Sequence, residues 1–133
     1  MQNIELLRRA AGAREAAYSP YSGYNVGAAL LCEDGTVYTG CNVENISYGG
    51  TICAERTAVV KAVSEGRTRY TKIAIAVSGN EPGIPCGICL QFLSEFVDRD
   101  FTIICGNCRN EFTVYSFAQI MPAVFQSTAV NRV

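Results

Sequence analysis

The sequence predicts a three-layer α/β/α sandwich around a mixed five-stranded sheet, and three observations carry that expectation. Residues 26–43 hold two strand-like runs joined at Asp34-Gly35, a strong short hairpin signal. "KIAIAVSG" at 72–79 is an almost unbroken apolar run, as expected of a strand covered on both faces. Beyond the hairpin, strand-like and helix-like patterns alternate, the signature of a sheet layered by helices. With 133 residues, no repeat and no linker, the expectation is a single domain over residues 1–133.

Each element has its own justification. Residues 3–18 place Ile4, Leu7, Ala10, Ala11, Ala17 and Tyr18 on one face of an amphipathic helix. Glu5 precedes Arg8 and Arg9 by three and four residues, which supports its exposed face. "SPYSGYN" is a loop marked by Pro20 and Gly23. The stretch 53–65 is a helix that stops at Gly66, a residue suited to the position just past a helix end. Pro85 introduces a second helix with Cys89, Phe92, Leu93, Phe96 and Val97 at helical spacing. "FTIICG" is a buried strand, "EFTVYS" a short one, and "SFAQIM" a last helical turn or two.

Composition excludes several classes of function. Lys and Arg total 11 against 12 Asp and Glu, and no basic cluster appears, so phosphate-driven nucleic-acid binding is not expected. No apolar run approaches the roughly 18 residues of a membrane span, and "MQNIELLRRAAGAREAAY" is no signal peptide, so the expected location is cytoplasmic. Histidine is absent, which removes Ser-His-Asp triads, Cys-His pairs and His-ligated metals.

Seven cysteines remain, and in a reducing compartment they are ligands or core residues rather than disulfides. In "PCGIC", Cys86 and Cys89 fall one turn apart on one helix face. Cys53 occupies the same kind of position on the preceding helix, where the helix terminus favours thiolate. Three thiolates from two helix starts form a candidate zinc tripod with a fourth position open, as catalytic zinc requires. On a regular helix Glu55 lies about 200° from Cys53, poorly placed as a ligand but able to exchange a proton with a zinc-activated water. Arg56 offsets the net negative charge of three thiolates and one zinc ion. Cys-Ala-Glu followed by Pro-Cys-x-x-Cys matches the zinc-deaminase signature in its all-cysteine form. A rival set is Cys86, Cys89, Cys105 and Cys108, whose spacing is that of a structural zinc-ribbon binding module. That set leaves Cys53-Ala54-Glu55 unexplained and encloses a whole amphipathic helix. Cys32 and Cys41 fall on the hairpin strands and are expected in the core.

Over almost its whole length the chain resembles the short, homotetrameric cytidine deaminases. "PYSGYNVGAALL", "GCNVENISYG", "CAERTAVVKAVSEG", "PCGICLQFLSEF" and "MPAVF" stand in that family's order and spacing. The resemblance implies one zinc per subunit on Cys53, Cys86 and Cys89, with Glu55 as proton shuttle and Arg56 bonded to the ligand thiolates. It implies that Asn42 and Glu44 hold a ribose hydroxyl and that Tyr24 forms the ribose or base wall. It places Ala54 where backbone reads the base edge, and Tyr48 and Phe125 in a neighbouring subunit's pocket. Two positions depart from the family pattern: Leu90 replaces an arginine and Ile88 a small alanine. Cys105 and Cys108 are not family residues.

The implied reaction converts cytidine and 2′-deoxycytidine to the uridines with release of ammonia, in pyrimidine salvage. A phosphorylated substrate would call for Arg or Lys donors or a glycine-rich turn at a helix start, and neither "YSGYNVG" nor "SYGGT" has that form. The expected partners are therefore a free nucleoside and further copies of the same chain, with no nucleic acid and no membrane. The competing enzymatic reading is a deaminase of another aminated heterocycle.

Overall fold

The computed structural model describes residues 1–126. Helix α1 (Asn3–Ala13) leads into the antiparallel hairpin of β1 (Val26–Cys32) and β2 (Val37–Cys41). Then follow α2 (Ala54–Ser64), β3 (Tyr70–Val77), α3 (Gly87–Leu93), β4 (Thr102–Asn107), β5 (Phe112–Ser116) and the short α4 (Phe117–Ile120). The strands form one sheet in the order β2-β1-β3-β4-β5, with β3 and β4 parallel and every other pair antiparallel.

Strand alternation divides the apolar residues between two layers. Ala28, Leu30, Ile73, Ile75, Ile103 and Cys105 face a core shared with Ala58, Val59 and Ala62 of α2 and Leu90 and Leu93 of α3. Ala29, Leu31, Ala74, Ala76 and Ile104 face the opposite core, closed by Leu6, Leu7 and Ala10 of α1. The three-layer, mixed, five-stranded sandwich expected from the sequence is the architecture found. Close packing of these layers depends on glycine. A Cβ at Gly40 would lie 2.6 Å from both the Ala54 carbonyl oxygen and the Ala58 nitrogen, so β2 could not support α2 there.

The hairpin turns at Gly35, φ +91°, and α2 ends with Gly66, φ +87°, as their sequence contexts require. The first helix is shorter than periodicity suggests. After Ala13 the chain tightens into a 3-10 turn over Arg14–Ala16, and Ala17 leaves helical geometry at ψ 138°. Tyr18 then donates its N–H to Asn42 O and accepts from Glu44 N–H, and these bonds replace another helical turn. Tyr18 therefore lies exposed rather than on the buried face. The second predicted helix likewise ends at Leu93, although Phe96 and Val97 still pack on the core. Cys32 is buried as expected, whereas Cys41 is only half-buried, on the edge strand.

Candidate active site

Helices α2 and α3 begin at the same place. Each starts from a cysteine in extended conformation, Cys53 at φ −74°, ψ 157° and Cys86 at φ −72°, ψ 168°. Their carbonyls accept the first helical bonds, from Thr57 N–H and Leu90 N–H respectively. Both thiols thus sit at helix caps, and Cys89 follows Cys86 one turn later with its side chain fully buried. Cys53 Sγ and Cys86 Sγ are 3.8 Å apart, and all three sulfurs lie within 4.8 Å of one another.

This donor set fits a zinc ion. Zinc takes thiolate ligands, and three sulfurs from two helix starts leave a coordination position open. Arg56 places Nη2 3.7 Å from Cys53 Sγ and 3.4 Å from Thr51 O, bringing a positive charge to the sulfurs. Its buried Nε has no hydrogen-bond partner among the described residues. The thiols also act on one another. A hydrogen bond from Cys89 is the largest influence holding the Cys53 pKa down, to about 5, while bonding to Cys53 and burial push Cys89 up.

Glu55 lies beside the sulfurs and is only 4% exposed. Burial raises its pKa to about 7, partly opposed by a backbone hydrogen bond and reinforced by the Cys53 charge. Because Cys53 is an extended cap rather than a helical residue, the angle of a regular helix does not separate it from Glu55. Cap geometry instead brings both to the same cavity.

That cavity, about 280 Å³, is near the lower end of ligand-sized pockets. Cys53, Ala54, Glu55 and Cys86 form one side. Tyr24, Asn42 and Glu44 form another, joined by residues the sequence did not single out: Ser22, Val26, Thr51, Ile75, Val77 and Ile84. Burial and the Glu55 charge both raise the Tyr24 phenol. Asn42 accepts from Val26 N–H (2.9 Å) and donates to Tyr24 O (2.8 Å), which ties the loop to the strand end. Glu44 accepts from the Tyr21 and Ser22 N–H groups and from the Ser22 hydroxyl; that hydroxyl is the main influence lowering its pKa. In the sequence this loop is "SPYSGYN", marked by Pro20 and Gly23, and Gly23 adopts φ +69°.

Two predicted site residues lie elsewhere. Tyr48 and Phe125 are 75% and 65% exposed and do not line this cavity. A cavity of equal volume between the 94–99 segment that follows α3 and the 124–126 segment is lined by Glu95 and Arg99 but by no sulfur and no buried carboxylate. The ribbon set does not assemble: among the described residues, the sulfurs that converge are those of Cys53, Cys86 and Cys89. Of the two departures from the family pattern, Leu90 packs into the core beneath α3, and Ile88 is exposed.

Residues 1–110 match the family model described as the cytidine and deoxycytidylate deaminase zinc-binding region. The chain is 43% identical over 131 residues to the cytidine deaminase of Halalkalibacterium halodurans, covering 98% of this chain and 99% of that one. It is 42% identical over 121 residues to the cytidine deaminase of Sporosarcina psychrophila, covering 91% and 89%. Among solved structures, cytidine deaminase from Burkholderia pseudomallei superposes with a TM-score of 0.90 at 39% identity, over 94% of this chain and 100% of that one.

Proposed function

The chain belongs to the cytidine and deoxycytidylate deaminase family, and on that premise we propose that it hydrolyses free cytidine and 2′-deoxycytidine to uridine, 2′-deoxyuridine and ammonia. The observation that carries this reading is a buried carboxylate, Glu55, against three converging thiols in a nucleoside-sized cavity. Cys53, Cys86 and Cys89 would hold one zinc ion. When bound, the ion supplies Lewis-acid activation of a water at neutral pH.

The remaining chemistry falls to the chain's own side chains. Glu55 takes a proton from the attacking water and passes it to ring nitrogen 3, which makes carbon 4 electrophilic. Once the hydroxyl oxygen bonds to carbon 4, Glu55 takes the second proton from that hydroxyl and delivers it to the departing amine; the carbon–nitrogen bond breaks as the carbon 4 carbonyl forms, and ammonia leaves. A carboxyl held near pH 7 by burial suits a group that must both accept and donate. Arg56 offsets charge at the thiolates, and the backbone of Ala54 meets the base edge. Asn42 and Glu44 meet the sugar, where an ionised carboxylate accepts a hydroxyl and repels a phosphate. Cytidine monophosphate, single-stranded DNA and adenosine are therefore expected to react slowly or not at all.

Glu55→Gln tests the assignment. Zinc content should stay at one per chain while turnover of cytidine falls about 10²–10⁴-fold, the range for loss of one general acid–base group. Ammonia release measured alongside metal analysis reads both, and undiminished turnover overturns the role given to Glu55.

The assembly proposed is a homotetramer of single-domain subunits, with Tyr48 and Phe125 reaching a neighbour's pocket. Their exposure, and the fact that neither lines its own chain's cavity, support it. Sedimentation should give four chains per particle, and a fully active monomer refutes the composite site. Cytoplasmic salvage of pyrimidine nucleosides is the setting this chemistry fits, and no helix among the described residues is long and apolar enough to cross a membrane.

A further inference from the structure

We propose that Ser22 is a positioning residue that sets sugar-hydroxyl recognition, an inference that rests on the nucleoside reaction above. Its hydroxyl stands between two walls of the cavity. It donates to Glu44 Oε2 at 2.5 Å and accepts the Tyr24 N–H at 3.0 Å. Glu44 Oε1 is already bonded by two backbone donors, Tyr21 N–H at 3.0 Å and Ser22 N–H at 3.1 Å.

An ionised carboxylate has about four acceptor positions. Three are taken by the 21–22 turn, so one remains, on Oε2. The Ser22 hydroxyl fixes the orientation of that last position by holding the other lone pair of the same oxygen. The wall opposite is fixed through the same atom. Tyr24 is held at its N–H by Ser22 and at its carbonyl by Asn42 Nδ2, while Gly23 at φ +69° permits the turn between them. One hydroxyl thus aims the sugar acceptor and seats the aromatic side chain beside it.

Removing that hydroxyl breaks the bond that fixes Oε2 and lets this oxygen swing about Oε1, which the two backbone N–H groups still hold. The sugar hydroxyl then meets an unaimed acceptor. Glu55 and Cys89 lie in α2 and α3, and Cys53 and Cys86 cap those helices, all outside this turn, so the chemical step is untouched. The effect should fall on substrate binding and only on substrates that carry the recognised hydroxyl. Cytidine and 2′-deoxycytidine share the 3′ and 5′ hydroxyls, so the probes are 3′-deoxycytidine and 5′-deoxycytidine.

Steady-state kinetics of the zinc-loaded enzyme, wild type against Ser22→Ala and Ser22→Thr, make the test. Ser22→Ala should raise KM for cytidine about tenfold, the scale of one lost charge-assisted hydrogen bond, with kcat within about twofold. KM for the analogue lacking the recognised hydroxyl should barely move, so discrimination against it collapses. Ser22→Thr, which keeps the hydroxyl, should restore the cytidine KM. An unchanged cytidine KM in Ser22→Ala overturns the proposal. So does an equal rise for cytidine and both analogues, or a fall in kcat of the same size, since either means general damage to the loop. Wild-type enzyme inert toward every nucleoside refutes the reaction itself, and is read before any variant is compared.

Discussion

Two Cys-x-x-Cys pairs share one spacing in this chain and end in opposite surroundings. Cys86 and Cys89 begin α3, where a step of three residues returns to the same helix face and both sulfurs meet Cys53. Cys105 lies within β4, and Cys108 follows that strand's end. Along a strand a step of three changes face, so Cys105 packs in the core under α2 and α3 while Cys108 packs against the layer under α1. The sheet stands between them. Spacing alone does not make a ligand pair, and the period of the element that carries the spacing decides which side chains meet.

The largest expected effect tests that contrast at the metal. Cys89→Ala should reduce zinc from one per chain to none, and activity with it, because two sulfurs cannot make the tripod. Cys105→Ala should keep one zinc per chain. Metal analysis of the two purified variants is the measurement, and loss of zinc from Cys105→Ala would break the comparison.

Next in size is the contrast in thiol reactivity. Alkylation needs thiolate and access. Zinc should protect Cys53, Cys86 and Cys89, and a chelator should open Cys86, which is exposed, and Cys53, whose pKa is held to about 5. Cys105 is different in kind: burial, reinforced by the Glu55 charge, pushes its thiol up to about 12. In native protein between pH 7 and pH 9 it should take no label with or without chelator. Labelling would begin only on unfolding. Peptide mass mapping after a timed iodoacetamide pulse would read this, and early modification of Cys105 would show that it is not sealed in the core.

These contrasts indicate what the sequence could and could not disclose. Element types were legible because apolar periodicity is local: the α2 pattern ends at Gly66 and β3 reads as a continuous apolar run. The zinc tripod was legible because both cap cysteines precede recognisable helices, with Glu55 two residues beyond one of them. The end of α1 was not, since Tyr18 is drawn out of helix by hydrogen bonds to Asn42 and Glu44, over twenty residues away. Ser22 was hidden for the same reason. Its importance lies in a contact with Glu44 that no period or spacing encodes. Leu90 shows a second limit, for an apolar residue in an arginine's place becomes intelligible only once the core beneath α3 is visible.

The smallest effects concern stability. Cys105 is fully buried among packed strands, so Cys105→Ala removes a sulfur the surroundings cannot collapse to fill. A loss of about 1 kcal/mol is expected in urea unfolding, comparable to deleting one core methyl group. Cys108 is half-buried at the margin of the opposite layer, and its backbone N–H, which bonds Val77 O at 3.1 Å, survives any side-chain change. Cys108→Ser should therefore shift stability by no more than about 0.5 kcal/mol, the usual range for sites without a buried network. Both variants remove a cysteine sulfur, at positions three residues apart. If Cys108→Ser proved as costly as Cys105→Ala, the sulfur of Cys108 would be sealed in the α1 layer, and the contrast between the faces of the sheet would fail.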